Sequence, residues 1–98
     1  MKIKVHESYR KVVALCDSDI LGKKFEEGKK ILDVRENFFN GEEVDFSKAV
    51  EMLKKYAKDD ATFNIFGEEA VKAAMHSGLI DEGSIGNVGG VPFALVLL

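Results

Sequence analysis

The first residues alternate polar and apolar side chains, Lys2-Ile3-Lys4-Val5-His6, which puts Ile3 and Val5 on one side and predicts a half-buried strand. A polar link, Glu7-Ser8-Tyr9-Arg10, leads to Lys11-Val12-Val13-Ala14-Leu15-Cys16, a more continuously apolar run. The short link between two such runs predicts an antiparallel hairpin. Next, Asp17-Ser18-Asp19 supplies N-cap oxygens ahead of Ile20, Leu21 and Phe25 at helical spacing, and Gly28 stands where a left-handed terminal residue belongs. One short helix is expected there. Residues 30–35 return to a β pattern with Leu32 and Val34 on one face, and Phe38-Phe39-Asn40-Gly41 reads as a turn.

The clearest helical period follows Asp45, where Phe46, Ala49, Val50, Leu53, Tyr56 and Ala57 form one stripe, and it predicts a helix over residues 45–58. Ala61 to Phe66 is rich in β-branched and aromatic residues and predicts a strand. Gly67 then turns the chain into a second helix, residues 68–77, with Glu68 and Glu69 at the positive end of its dipole and Val71, Ala74 and Met75 on its apolar face. A glycine-rich connection over 81–90 precedes a last strand over 91–98, where Pro92 points to an edge, a bulge or the strand's first turn. The expected order is β-β-(short α)-β-α-β-α-β. This is one α+β domain over residues 1–98, with a mixed sheet of about five strands packed on two main helices.

Composition narrows the class. Of 98 residues, 46% are hydrophobic and 32% charged, a globular balance with a raised charged share. Cys16 is the single cysteine, so no internal disulfide and no thiolate cluster can form. The N-terminal segment lacks the apolar core of a signal peptide, and the apolar run at 91–98 is too short to span a bilayer. A cytoplasmic protein without a membrane segment is expected. The net charge of −3 is divided unevenly: residues 1–58 hold 13 Lys and Arg against 11 Asp and Glu, whereas residues 59–98 hold Lys72 against six acids. That acidic end would repel nucleic-acid phosphates.

Candidate chemistry is sparse. Asn64-Ile65-Phe66-Gly67-Glu68 is a strand entering a helix through one glycine, a geometry that can bind an anion at free N–H groups. No Lys or Ser/Thr follows as in a P-loop, and two glutamates stand where the anion would sit, so a structural turn is the stronger reading. The segment from Gly86 and Asn87 through Gly89 and Gly90 to Pro92 is dense in glycine but leads into a strand, unlike a dinucleotide fingerprint, and a tight reversal explains it. A weak ligand site would use Asn64, Gly67, Gly86, Asn87, Gly89 and Gly90. His6, His76 and Cys16 lack ligand spacing, so no metal, no cofactor and no catalytic residue is expected. Arg10, Lys11, Lys23, Lys24 and Lys30, with Tyr9, Phe38 and Phe39 nearby, form a weak candidate RNA surface, against a solvated face interleaved with acids. An edge position for the last strand would allow a homodimer as well as a monomer.

Three segments carry a resemblance when taken in order: Ile20-Leu21-Gly22-Lys23-Lys24-Phe25-Glu26-Glu27-Gly28, then Asn64 to Val71, then Gly89-Gly90-Val91-Pro92. Together they resemble an uncharacterised archaeal family catalogued as domain of unknown function 424, over essentially the whole chain. The resemblance implies a short cytosolic α+β protein and supplies no activity. In that family a His follows the Gly-Gly-Val-Pro segment, with a Gln two residues later; Phe93 and Leu95 stand there in this chain. A site using those polar groups would be weakened or absent. The expected function is a non-catalytic binding or adaptor protein, with RNA or the translation machinery as its narrower form. The alternative is a small-molecule or anion-binding protein, or a partner-dependent enzyme, using Gly67 and the loop 86–92.

Overall fold

Strand β2 (Val12–Cys16) is apolar on both sides because the fold covers both sides. Val13 and Leu15 face two helices, while Ala14 and Cys16 face the opposite layer with Val34 and Phe39. The computed structural model describes residues 1–97; Leu98, expected to end the last strand, lies outside them. β2 pairs antiparallel with β1 (Lys2–His6) and parallel with β6 (Thr62–Phe66). The remaining strands are β3 (Lys24–Glu27), β4 (Lys30–Asp33), β5 (Glu42–Glu43), β7 (Gly86–Val88) and β8 (Val91–Leu97). A six-stranded mixed sheet runs β5-β1-β2-β6-β8-β7, and β3-β4 form a separate hairpin.

Helices α2 (Phe46–Lys58) and α3 (Glu68–His76) cover one face of the sheet. Asp45 caps α2 by accepting from the Lys48 N–H at 2.8 Å, which satisfies one of the amides that open every helix. Ala49, Val50 and Leu53 are the buried part of its stripe, and they meet Ala70, Val71, Ala73 and Ala74 of α3 over Ile3, Phe63 and Ile65. Gly78, at φ 82°, closes α3 in the left-handed region. The α+β class, the mixed sheet and the two main helices therefore stand, with more strands than the expected five.

The departures are local. The short helix expected before Gly28 is a 3-10 turn, Ser18–Ile20, followed by β3. Gly22 takes φ 83°, and Gly28, at φ 62°, turns the chain between β3 and β4. Phe25 lies opposite Leu32 and, like Ile20, Leu21 and Phe66, packs against the cluster of Ala14, Cys16, Val34 and Phe39. The turn at 38–41 begins with one helical turn, α1 (Glu36–Phe39). The glycine-rich connection holds a 3-10 turn, Glu82–Ser84, and the extra strand β7.

Gly89 and Gly90, both at positive φ, make the two-residue reversal from β7 to β8 that a primed hairpin turn requires. Pro92 stands where its missing N–H is not needed. The Gly67 carbonyl it would face already accepts from the Val71 N–H at 2.9 Å, while the Pro92 carbonyl accepts from the Gly67 N–H at 2.8 Å. The last strand is not a simple edge, since β7 covers residues 91–93.

Gly41 lies against the Ile3 backbone, where an added methyl would overlap the Ile3 carbonyl. Gly41→Ala is expected to cost about 2–4 kcal/mol, lowering Tm by roughly 10–30 °C in a domain of this size. Gly28→Ala has open space around it and only its φ to strain, so about 1 kcal/mol is expected. Thermal unfolding followed by circular dichroism separates the two; equal losses would show that Gly41 is not held by close approach.

Candidate functional site

Two places bring expected site residues together. The first is the start of α3. Asp17, the residue after β2, sends its carboxylate across to that helix: Oδ2 accepts from the Glu69 N–H at 3.1 Å and Oδ1 from the Ala70 N–H at 2.8 Å. Gly67, at φ 112°, makes room for it, since a Cβ there would lie 2.5 Å from Asp17 Cγ. The position open to an external anion at this helix start is therefore filled from within the chain, and the side chain expected to begin a short helix at residue 17 begins α3 instead. Burial raises the Asp17 carboxyl above its ordinary range, the two amide bonds pull it back, and Asp19 and Glu69 add repulsion. Gly67 does meet Gly90 and Pro92, around a cleft of about 200 Å³ that also includes Asp17, Asp19 and Glu68. Its charged groups are carboxylates.

The second is the sheet face opposite the helices. Helix α1 covers it over β1 and β2 and the β3-β4 hairpin reaches β7, leaving an opening over β6 and β8. The opening is a groove of about 490 Å³ between Ile31 and Leu32 on one side and Asn64, Phe66, Phe93 and Leu95 on the other, with Lys30 and Val88 completing it. A row of rings runs along this face. His6 stacks on Phe38 at 4.6 Å, Phe38 meets Phe39 at 5.1 Å, Phe39 meets Phe66 at 4.7 Å, and Phe66 meets Phe93 at 6.3 Å, all within the range of favourable ring contacts. The Phe93 ring lies over Gly86, where a Cβ would come within 2.7 Å of it. Glu27 fixes the hairpin tip by accepting from the Gly89 N–H at 2.8 Å. Leu95 is 61% exposed and Ile31 57%.

The weak ligand set is thus divided between the two places. Gly67 and Gly90 meet at the cleft, Asn64 lines the groove and Gly86 underlies its wall, Gly89 holds the hairpin tip, and the Asn87 side chain accepts from the Gly90 N–H at 3.0 Å within its own turn. The basic set is divided too. Arg10 and Lys11 precede β2, with Lys11 3.7 Å from Asp59, while Lys23, Lys24 and Lys30 belong to the β3-β4 hairpin region, where Lys30 lines the groove. Phe39 is buried and cannot stack a base, whereas Tyr9 is exposed.

His6 lies opposite Val12 and Cys16 opposite Lys2, at the two ends of one hairpin, with the His6 Nε2–H donating to the Phe38 carbonyl at 2.9 Å. His76 contacts Phe46 on the helical face. Among the described residues no three His, Cys, Asp or Glu side chains are grouped to hold a metal ion, and no helix is long and apolar enough to cross a membrane. Sequence reasoning missed the groove because every residue of 91–97 is apolar, so no alternation marks which face of the strand is left open.

These features define a small α+β domain whose mixed six-stranded sheet carries two helices on one face and a partial hairpin cover on the other. The chain belongs to the family described as protein of unknown function (DUF424), whose model matches residues 5–98. It is similar to the crystal structure of an uncharacterized conserved protein from the archaeon Methanopyrus kandleri, at 27% identity and a TM-score of 0.87, over 97% of this chain and 88% of that one. No curated protein matches it. Phe93 and Leu95, at the positions where the resemblance placed His and Gln, are the groove wall.

Asp17→Ala leaves two α3 amides without acceptors and is expected to cost about 1–2 kcal/mol in thermal or urea unfolding. A carboxyl raised by folding favours the folded state below the ordinary carboxylate pKa and loses that contribution as pH rises through its raised value. The stability of the parent chain relative to Asp17→Asn should therefore grow as pH falls from 6 to 4; a constant difference in urea unfolding would contradict this.

Burial, reinforced by the Asp17 carboxylate, pushes the Cys16 thiol up to about 12. It should resist iodoacetamide at pH 8 in the folded chain and react at the free-thiol rate in denaturant. Rapid labelling of the folded chain, read by mass spectrometry, would refute its burial.

Proposed function

We propose that this chain is a non-catalytic binding module of the cytoplasm, and that its working surface is the groove between the β3-β4 hairpin and strands β6 and β8. One observation carries the reading: an open apolar cavity of about 490 Å³ beside the exposed side chains of Ile31 and Leu95. The volume is that of a small-molecule or side-chain site, and large apolar side chains grouped at the surface mark contact sites. Lys30 is the one charged residue lining it, and Asn64 supplies an amide, so an apolar group with an anionic end suits it best.

An RNA-binding function would need Arg10, Lys11, Lys23, Lys24 and Lys30 on one surface, and their division between the link before β2 and the β3-β4 hairpin supports it less. A ligand anion at Gly67 is supported less for the same kind of reason, because Asp17 already accepts from the α3 amides.

The dye 8-anilinonaphthalene-1-sulfonate, an aromatic apolar body with one sulfonate, is a direct probe. Its fluorescence should rise and saturate with the folded chain, and Leu95→Glu should weaken binding at least tenfold without changing the circular dichroism spectrum. No enhancement with the folded parent chain, or equal binding by the variant, would overturn the groove as the working surface.

A further inference from the structure

β8 outruns its neighbour. β7 pairs with it only at Val91, Pro92 and Phe93, and β7 begins at Gly86, opposite Phe93. Beyond Phe93 the outer side of β8 has no strand beside it among the described residues.

The hydrogen-bond phase along β8 is fixed. Val88 and Val91 close a two-residue reversal and so bond each other directly. In an antiparallel ladder the direction of the backbone groups alternates, so Pro92 faces β6, as its bond from the Gly67 N–H confirms. Val91, Phe93, Leu95 and Leu97 face the other way. The N–H and C=O of Leu95 and Leu97 therefore point outward past the end of β7.

The side chains there are as unguarded as the backbone. Leu95 and Leu97 are 61% and 83% exposed on one face of the sheet, next to the groove. Edge strands are normally protected by charge, proline at the open positions, or cover. Residues 93–97 carry no charge in a chain that is 32% charged, and the one proline sits earlier, under β7.

We infer that the open edge of β8 at Leu95 to Leu97 pairs antiparallel with the same edge of a second copy of this chain. The inference rests on the proposed role of this face as a contact surface and names its partner. An antiparallel edge is its own complement under a two-fold axis: Leu95 of one copy meets Leu97 of the other, each donating and accepting. The meeting edges carry no charged side chain, so the pairing brings no like charges into contact at the seam. With the axis perpendicular to the sheet, both hairpins fall on the same side, so the two grooves lie next to each other and the leucines fill the seam.

Amide hydrogen exchange and sedimentation on the intact chain test this together. From about 10 μM to 1 mM the protein should pass from monomer to dimer, and the Leu95 and Leu97 amides should slow at least tenfold, while the Phe93 amide stays protected throughout. The double substitution Leu95→Lys with Leu97→Lys should keep the fold and abolish both changes. A chain that stays monomeric at 1 mM, an open-ended assembly, or a dimer whose Leu95 and Leu97 amides remain fast would each overturn the pairing. Dye binding is read on the monomer at 10 μM, so loss of the groove reading and loss of the pairing give different results.

Discussion

The carboxylate of Asp17 against the start of α3 is the contact on which the arrangement turns. Residues 17 and 69 are 52 positions apart, yet two short bonds fasten the exit of β2 to the helix that leaves β6. β2 and β6 are the sheet's one parallel pair, and parallel neighbours cannot be held by a tight turn. Their register is held instead by a buried face and by this junction, where the Asp17 N–H also donates to the Phe66 carbonyl at 3.1 Å. A helix start must satisfy its first amides from somewhere, and Gly67, lacking a side chain, leaves the space for a distant residue to do it. Structure and chemistry are linked here: the spot in this fold most like an anion site is occupied for the sake of the fold.

The two faces of the sheet follow from unequal cover. On one side α2 and α3 exclude water from Ile3 through Ala94, and the small residues of α3 allow close approach. On the other, one helical turn covers β1 and β2 and the hairpin reaches β7, which leaves β8 beyond Phe93 uncovered. The side chains of β8 alternate faces, so Ala94 is buried under the helices while Leu95 and Leu97 remain in water. An apolar strand with one dry and one wet face is the origin of the groove.

What could be read from the sequence was what local chemistry determines. Asp45 accepts from a residue three positions away, and the stripe after it repeats every turn, so α2 was legible from its cap to Lys58. The same holds for α3, from Gly67 to Gly78. The hairpin β3-β4 was not legible, because Ile20, Leu21 and Phe25 fit a helical period, and only pairing with Leu32 and packing on the cluster of Ala14, Cys16, Val34 and Phe39 decide between helix and strand. Asp17 was identified as a capping residue but assigned to its own neighbours, since nothing in the sequence marks a partner fifty residues away. Lys30 and Phe93 were noted separately, for charge and for departure from a family pattern. Their convergence on one groove depends on a hairpin tip bonded to a distant turn.

That tip bond has a mechanical consequence. The root of the hairpin is tied by backbone bonds between Gly22, Lys23 and Val34, whereas its far end is latched by a single exposed carboxylate, Glu27, on Gly89. The opposite wall is stiff, with Phe93 braced on Phe66 and seated over Gly86. The width of the groove is therefore set from the hairpin side, where the Glu27 bond and the packing of β3 and β4 on β7 fix one wall opposite the braced ring of Phe93.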